Sequence, residues 1–331
     1  RLRLSAGGIS DAFHRYIMAD GVTAGFVLFQ NGPEYMLHPR DKATGIHYRL
    51  LPMTRGIISG IFSQEEARRH YELILRHMCH PDGVRLMDTV CPYGGGVSRR
   101  FMRAETAANF GREIGLMYVH AHLRFVEAAA KLGMAEDAWE GLKKVNPVLI
   151  GEVVKNAARR QANCYFSSSD GAFDNRYEAE AGFEKLRAGN VPVKAGWRVY
   201  SSGSGLFLNQ LICNCLGLRR RNGDIVIDPV LPQYLDGLEV SYTINGRPTR
   251  IIYHLGAAGG KGVRNFQRKR RGENADSPPT DNPPLACSSG SLTKILIDGA
   301  EVPFRTLPQP YRPGGALLPA ESSGTIEVFI G

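Results

Sequence analysis

The feature that most limits how this chain can fold is a change of hydrophobic rhythm near Gly217. Before it, apolar residues recur at helical spacing in several stretches; after it, short runs alternate with a period of two. Helices followed by strands, separated along the chain, lead to an α+β arrangement or to two sub-domains, not to the alternating βαβ of a nucleotide fold. With 331 residues, 43% of them hydrophobic, the chain is long enough for one large domain or two smaller ones.

The helical half is well punctuated. Ser63 and Glu66 form a capping-box pattern that opens a helix running to about His80, where Pro81-Asp82-Gly83 stops it. Leu116, Val119, Leu123, Val126 and Ala130 predict a second helix over 114–132, closed by Gly133. A third over 135–145 carries acidic residues early and Lys143-Lys144 late, as the helix dipole favours. After Asn146-Pro147, 148–160 reads as a fourth helix. A fifth, 203–217, is apolar apart from Asn209, Gln210 and Asn214, so it is expected to be buried on most sides.

In the strand half, 224–230 alternates, and 238–244 and 248–254 are joined by Asn245-Gly246, a pair suited to a type I′ hairpin turn. Residues 293–297 and 325–330 complete a small β unit. Between them, 256–292 is rich in Gly, Pro, Ser and basic residues and is expected to be disordered.

Charge and cysteines narrow the function. Lys and Arg exceed Asp and Glu by 41 to 32, and the excess gathers at Lys261, Arg264, Arg268, Lys269, Arg270 and Arg271. A solvated basic insertion is the expected reading, because the interleaving of aromatic rings with cations that strand-binding surfaces show is absent there, Phe266 being a lone ring; no nucleic-acid partner is expected. No apolar stretch approaches the ~20 residues that span a bilayer, so no membrane partner is expected and the protein reads as cytoplasmic. Six cysteines in a long chain do not make a disulfide scaffold. Neither Cys213 with Cys215 nor the His77, Cys79, His80 cluster has paired zinc-site spacing, and no metal is expected.

Three places carry chemistry. Tyr200-Ser201-Ser202-Gly203-Ser204-Gly205 opens the fifth helix, where hydroxyls, backbone N–H groups and the positive helix end meet; this suits phosphate, although Ser and Gly also serve as ordinary caps. His120 and His122 sit within an apolar helix, with Glu113 seven residues before His120. A core histidine is commonly just hydrogen-bonded, yet an imidazole can also donate to phosphate and a glutamate can bind sugar hydroxyls. The segment from Arg159 to Asp170 mixes donors, acceptors and rings as a sugar site does, or as a surface loop closed by turns does.

At these residues the chain resembles the oligosaccharide phosphorylases of glycoside hydrolase family 94. The likeness runs through Ser10-Asp11-Ala12-Phe13, Tyr35 to Pro39, Tyr48 to Arg55, Pro81 to Met87, Tyr118 to His122, Arg160 to Phe173, Gly196 to Gly203 and Ile227 to Pro232. It implies a mainly α fold: part of an (α/α)6 toroid, six-hairpin-glycosidase-like, over 1–222, then a small C-terminal β element from 223–255 and 293–331. It implies an inverting phosphorylase that cleaves β-1,2-glucooligosaccharides with inorganic phosphate and releases α-glucose 1-phosphate, with a β-1,4, cellobiose-type substrate as the alternative. Phosphate is then a substrate, and no cofactor is expected.

The resemblance places phosphate at His120, Ser202 and Gly203, and sugar at Glu113, Gln161 and Tyr165. Family members often pair as homodimers, which sets the expectation for the full-length form. The carboxylic acid that must protonate the leaving oxygen is expected upstream of Arg1, outside this chain. Asp11, Asp82, Asp88 and Asp170 are not taken in its place. The chain is therefore expected to be a C-terminal fragment, inactive alone, with a non-catalytic carbohydrate-binding remnant as the other reading.

Overall fold

The computed structural model describes residues 2–90, 116–148, 150–158, 165–196, 201–256 and 290–331. Helix α1 (Leu2–Tyr16) leads into two antiparallel ribbons, β1 (Met18–Ala19) with β2 (Val22–Thr23) and β3 (Phe26–Phe29) with β4 (Pro33–Met36). Helix α2 (Leu50–Ser59) ends at Gly60 in the left-handed conformation. Helix α3 (Gln64–His77) starts at the Ser63–Glu66 capping box as read, and hands over to a third ribbon, β5 (Cys79–His80) with β6 (Gly83–Val84).

Strand β7 (Met117–Tyr118) then enters α4 (Val119–Leu132), followed by α5 (Ala135–Val145) and α6 (Ile150–Val153). Strand β8 (Ser168–Gly171), α7 (Arg176–Arg187) and β9 (Val193–Gly196) come next, and β7, β8 and β9 form one antiparallel sheet. Helix α8 (Ser201–Asn209) continues as a π-helical turn, Gln210–Cys215.

The remaining strands make two sheets. Strands β10 (Leu218–Arg221), β11 (Asp224–Ile227), β16 (Arg305–Leu307) and β17 (Gly315–Leu318) are ordered β10-β11-β17-β16. Strands β12 (Leu238–Ile244), β13 (Arg247–Leu255), β14 (Leu292–Ile297), β15 (Ala300–Glu301) and β18 (Gly324–Ile330) are ordered β12-β13-β18-β14-β15, with β13 and β18 parallel. Asn245 and Gly246 both have positive φ, 52° and 78°, as a type I′ turn requires. The basic stretch expected to be disordered lies outside the described residues from 257 to 289.

The expectation of a mainly α, partial (α/α)6 toroid is overturned. Among the described residues, helices alternate with six sheets and do not close a ring. Ribbons such as Met18–Thr23, Phe26–Met36 and Cys79–Val84 are only two to four residues per strand, too short for a period of two to register in the sequence.

Helix limits shift for similar reasons. The second expected helix begins at Val119 because Met117 and Tyr118 pair with Ser169 and Ser168. The fourth shrinks to one turn because Asn156 and Ala158 exchange backbone hydrogen bonds with Val193. Helix α8 is also less buried than its composition suggests: Leu208 is 54% exposed, and Leu206, Phe207 and Ile212 are half-buried.

Helix α4 is the centre of the core. It is buried along Val119, Leu123, Phe125, Val126, Ala129 and Leu132, with α2, α5 and α8 packed on it. Gly141 permits the close crossing of α5, since a Cβ there would lie 2.7 Å from Val126 Cγ2. His122 locks that crossing: Nε2–H donates to the Gly141 carbonyl at 2.8 Å, while Nδ1 accepts the Val84 N–H at 3.1 Å. His70 is used in the same way, accepting the Thr23 N–H at 3.0 Å and donating to the Glu66 carbonyl at 2.7 Å.

These two histidines predict acid sensitivity. Burial pushes both down to about 4, against an ordinary value of 6.5. Between those values the unfolded chain takes up protons that the fold refuses, so stability is complete above pH 6.5 and falls as pH drops toward 4. Each contributes a slope of about 1.4 kcal/mol per pH unit. Urea unfolding at pH 7, 6 and 5 is expected to show that loss, and His122→Gln to remove about a third of it, since burial lowers His77 to about 4 as well. A pH-independent midpoint would contradict the assignment.

Candidate active site

The sheet β7–β8–β9 assembles the site. Tyr118 is registered with Ser168, and Ser168 with Gly196, so the strand entering α4 and the strand preceding α8 flank the same central strand. The Val119 N–H donates to the Ser167 carbonyl at 2.9 Å, which fixes the first turn of α4 against β8. Beneath it, fully buried Arg85 donates to both oxygens of Asp82, at 3.1 and 3.0 Å, and to the Ser169 carbonyl at 2.9 Å.

His120 occupies the first turn of α4, half-buried, its ring stacked parallel to that of Tyr118 with centroids 6.0 Å apart. Burial lowers its pKa, and the nearby Arg124 and Arg55 guanidinium groups lower it further. A neutral imidazole offers one N–H donor to an anion, within the field of two cations. Arg124 lies one turn along the same helix, its Nη1 donating to Glu127 at 2.6 Å while its buried Nε has no hydrogen-bond partner among the described residues. Arg55 is exposed on α2, which packs on α4. His120 and His122, alike in sequence, are thus separated: one is half-buried and stacked on Tyr118, and the other braces the core.

Ser202 and Gly203 lie in the first turn of α8. Gly203 is buried against Tyr165, and a Cβ at 203 would fall 1.6 Å from the Tyr165 hydroxyl oxygen and 2.8 Å from Cζ. Tyr165 is half-buried, and burial, with a smaller contribution from Tyr118, pushes its phenol up to about 12. An expected sugar contact and an expected phosphate contact are therefore brought together. Glu113 and Gln161 lie outside the described residues.

Sequence reasoning singled out neither Arg55, Arg124 nor Tyr118 individually. Arg55 and Tyr118 stand inside segments that carried the resemblance, and Arg124 is four residues after His120, the spacing of one helix face.

Of the four aspartates set aside above, three are committed to structural bonds and the fourth is exposed. Asp82 is ion-paired with Arg85, and Asp170 lies 3.5 Å from Arg85, its pKa raised by burial against that pairing. Asp88 accepts the backbone N–H groups of His47 and Tyr48, at 3.0 and 2.9 Å. Asp11 is exposed on α1. Among the described residues no group of three or more His, Cys, Asp or Glu is placed to hold a metal ion, and no helix is long and apolar enough to cross a membrane.

The first turn of α4 thus carries His120, and the first turn of α8, which packs on α4, carries Ser202 and Gly203, with Tyr165 set against Gly203. No protein-family profile matches the chain. Over 323 residues, 97% of its length, it is 44% identical to the 1,2-beta-oligoglucan phosphorylase of Listeria innocua serovar 6a, and covers 26% of that protein. Over 152 residues, 46% of its length, it is 26% identical to the cyclic beta-(1,2)-glucan synthase NdvB of Rhizobium meliloti, and covers 5% of it. The resemblance to the phosphorylases thus extends along nearly the whole chain, which spans about a quarter of the first of these curated relatives.

Proposed function

We propose that this chain is part of a larger inverting phosphorylase acting on β-1,2-linked glucooligosaccharides. Phosphate, held by His120, Ser202 and Gly203, attacks the anomeric carbon from the face opposite the glycosidic oxygen. The C–O bond breaks, the leaving oxygen takes a proton from a carboxylic acid, and α-glucose 1-phosphate departs. The acid comes from outside this chain, a reading supported by the commitment of Asp82, Asp88 and Asp170 to structural bonds. The observation that carries the proposal is the packing of α4, whose first turn holds His120 stacked on Tyr118, against α8, whose first turn holds Gly203 set against Tyr165.

The linkage rests on the relatives, since both carry β-1,2-glucan in their names. That the chain packs against further polypeptide is supported by exposed Ile9, Phe29, Val148 and Leu208, each more than half exposed. The test is phosphorolysis by the natural polypeptide that carries this sequence. Glucose 1-phosphate is expected from β-1,2-glucooligosaccharides only when phosphate is present, with cellobiose at least tenfold poorer, a discrimination of about 1.4 kcal/mol or more. Equal rates on cellobiose would overturn the linkage, and no release from either sugar would favour a non-catalytic carbohydrate-binding role.

A further inference from the structure

We infer that Tyr165 belongs to the phosphate side of the site, as a hydroxyl that shares the α8 first turn with Gly203, and not to the sugar side. This rests on the phosphorolysis reading above. The observation is steric: the phenol oxygen occupies the space that any side chain at 203 would fill, 1.6 Å from an ideal Cβ position. Glycine is thus required at 203 by a polar neighbour, not by backbone conformation, since Gly203 is not among the positive-φ residues.

Tyr118, which stacks on His120, is also close enough to raise the pKa of the Tyr165 phenol. A sugar hydroxyl could accept from this phenol equally well in chemical terms. Position decides against it, because the group already sits on the amide turn that an oxyanion would use. At neutral pH the phenol keeps its proton and can donate to an anionic oxygen without repelling it.

The test titrates the natural polypeptide carrying this chain with inorganic phosphate and, separately, with a β-1,2-glucooligosaccharide, using calorimetry. Tyr165→Phe, which removes one oxygen and keeps the ring, is expected to weaken phosphate about tenfold and to change oligosaccharide affinity less than twofold. The Tyr165→Phe protein is also expected to keep its folding stability, read as an unchanged urea midpoint, so that a loss of phosphate affinity reports the missing hydroxyl and not a disturbed fold. Unchanged phosphate affinity in Tyr165→Phe, or a loss confined to the oligosaccharide, overturns the inference while leaving phosphorolysis intact. Failure of the unaltered protein to bind phosphate overturns the phosphorolysis reading itself.

Discussion

Replacing Asp228 by alanine is expected to cost about 3–5 kcal/mol of folding stability, the range for breaking a buried ion pair on one side. Asp228 is 2% exposed, and its carboxylate accepts Arg312 Nη1 at 2.7 Å, Arg312 Nη2 at 2.9 Å and Gln309 at 2.8 Å, with Arg219 also bonded to it. Without it two guanidinium groups lose their counter-charge, and the Arg312 side chain is itself only 6% exposed. The site is tightly enclosed: a Cβ at Gly217 would meet the Asp228 backbone at 2.2 Å, and one at Gly315 would meet Asp228 Cβ at 2.4 Å. Collapse or rescue by a neighbouring side chain is therefore blocked.

The consequence reaches the site. Arg312 also donates through Nε to the Ala130 carbonyl near the end of α4, and the Asp228 N–H donates to the Gly217 carbonyl just past the π turn of α8. The cluster thus anchors the far ends of the two helices whose first turns carry His120 and Gly203. Urea unfolding is expected to show a lowered midpoint with an unchanged slope. A loss below about 1 kcal/mol would show that the cluster is solvated and does not hold the β strands to the helices.

The second large effect is a change of sign. Gly203→Ala is expected to destabilise by about 1–3 kcal/mol, because the new methyl group displaces the Tyr165 phenol. In a Tyr165→Ala background the obstruction is gone, and the same substitution gains the helix propensity of alanine over glycine, up to about 1 kcal/mol. The difference between the two backgrounds measures the contact directly. Equal effects in both backgrounds would mean that Tyr165 and Gly203 are not in contact in solution.

How much of this was legible depended on the range of the signal. Local chemistry read through: the Ser63–Glu66 box starts α3, Asn245-Gly246 turns β12 into β13, and acidic-to-basic polarity marks α5. The short ribbons did not, because a strand of two residues has no period and owes its existence to a partner. Tyr118 is extended for the same reason, held by Ser168 rather than by its own helical neighbours. The toroid was an expectation taken from resemblance, and local pattern within this chain gave no independent check on it.

The site divides likewise. The motif around Ser202 and Gly203 and the helix carrying His120 could be singled out as candidates for an anion site. Which histidine served the core was hidden, because Gly141 and Val84, the partners of His122, come from other elements. The approach of Tyr165 to Gly203 was equally hidden, since it depends on how β8 and β9 bring distant segments together.

The most direct test of the central claim is phosphate-dependent release of glucose 1-phosphate from β-1,2-glucooligosaccharides by the natural polypeptide carrying this chain, beside its His120→Ala variant. Release from the unaltered protein, reduced on the order of 10²-fold in kcat/KM by the substitution with folding stability retained, is the result expected when an oxyanion donor is removed. Release unchanged by His120→Ala, or release independent of phosphate, would contradict the account.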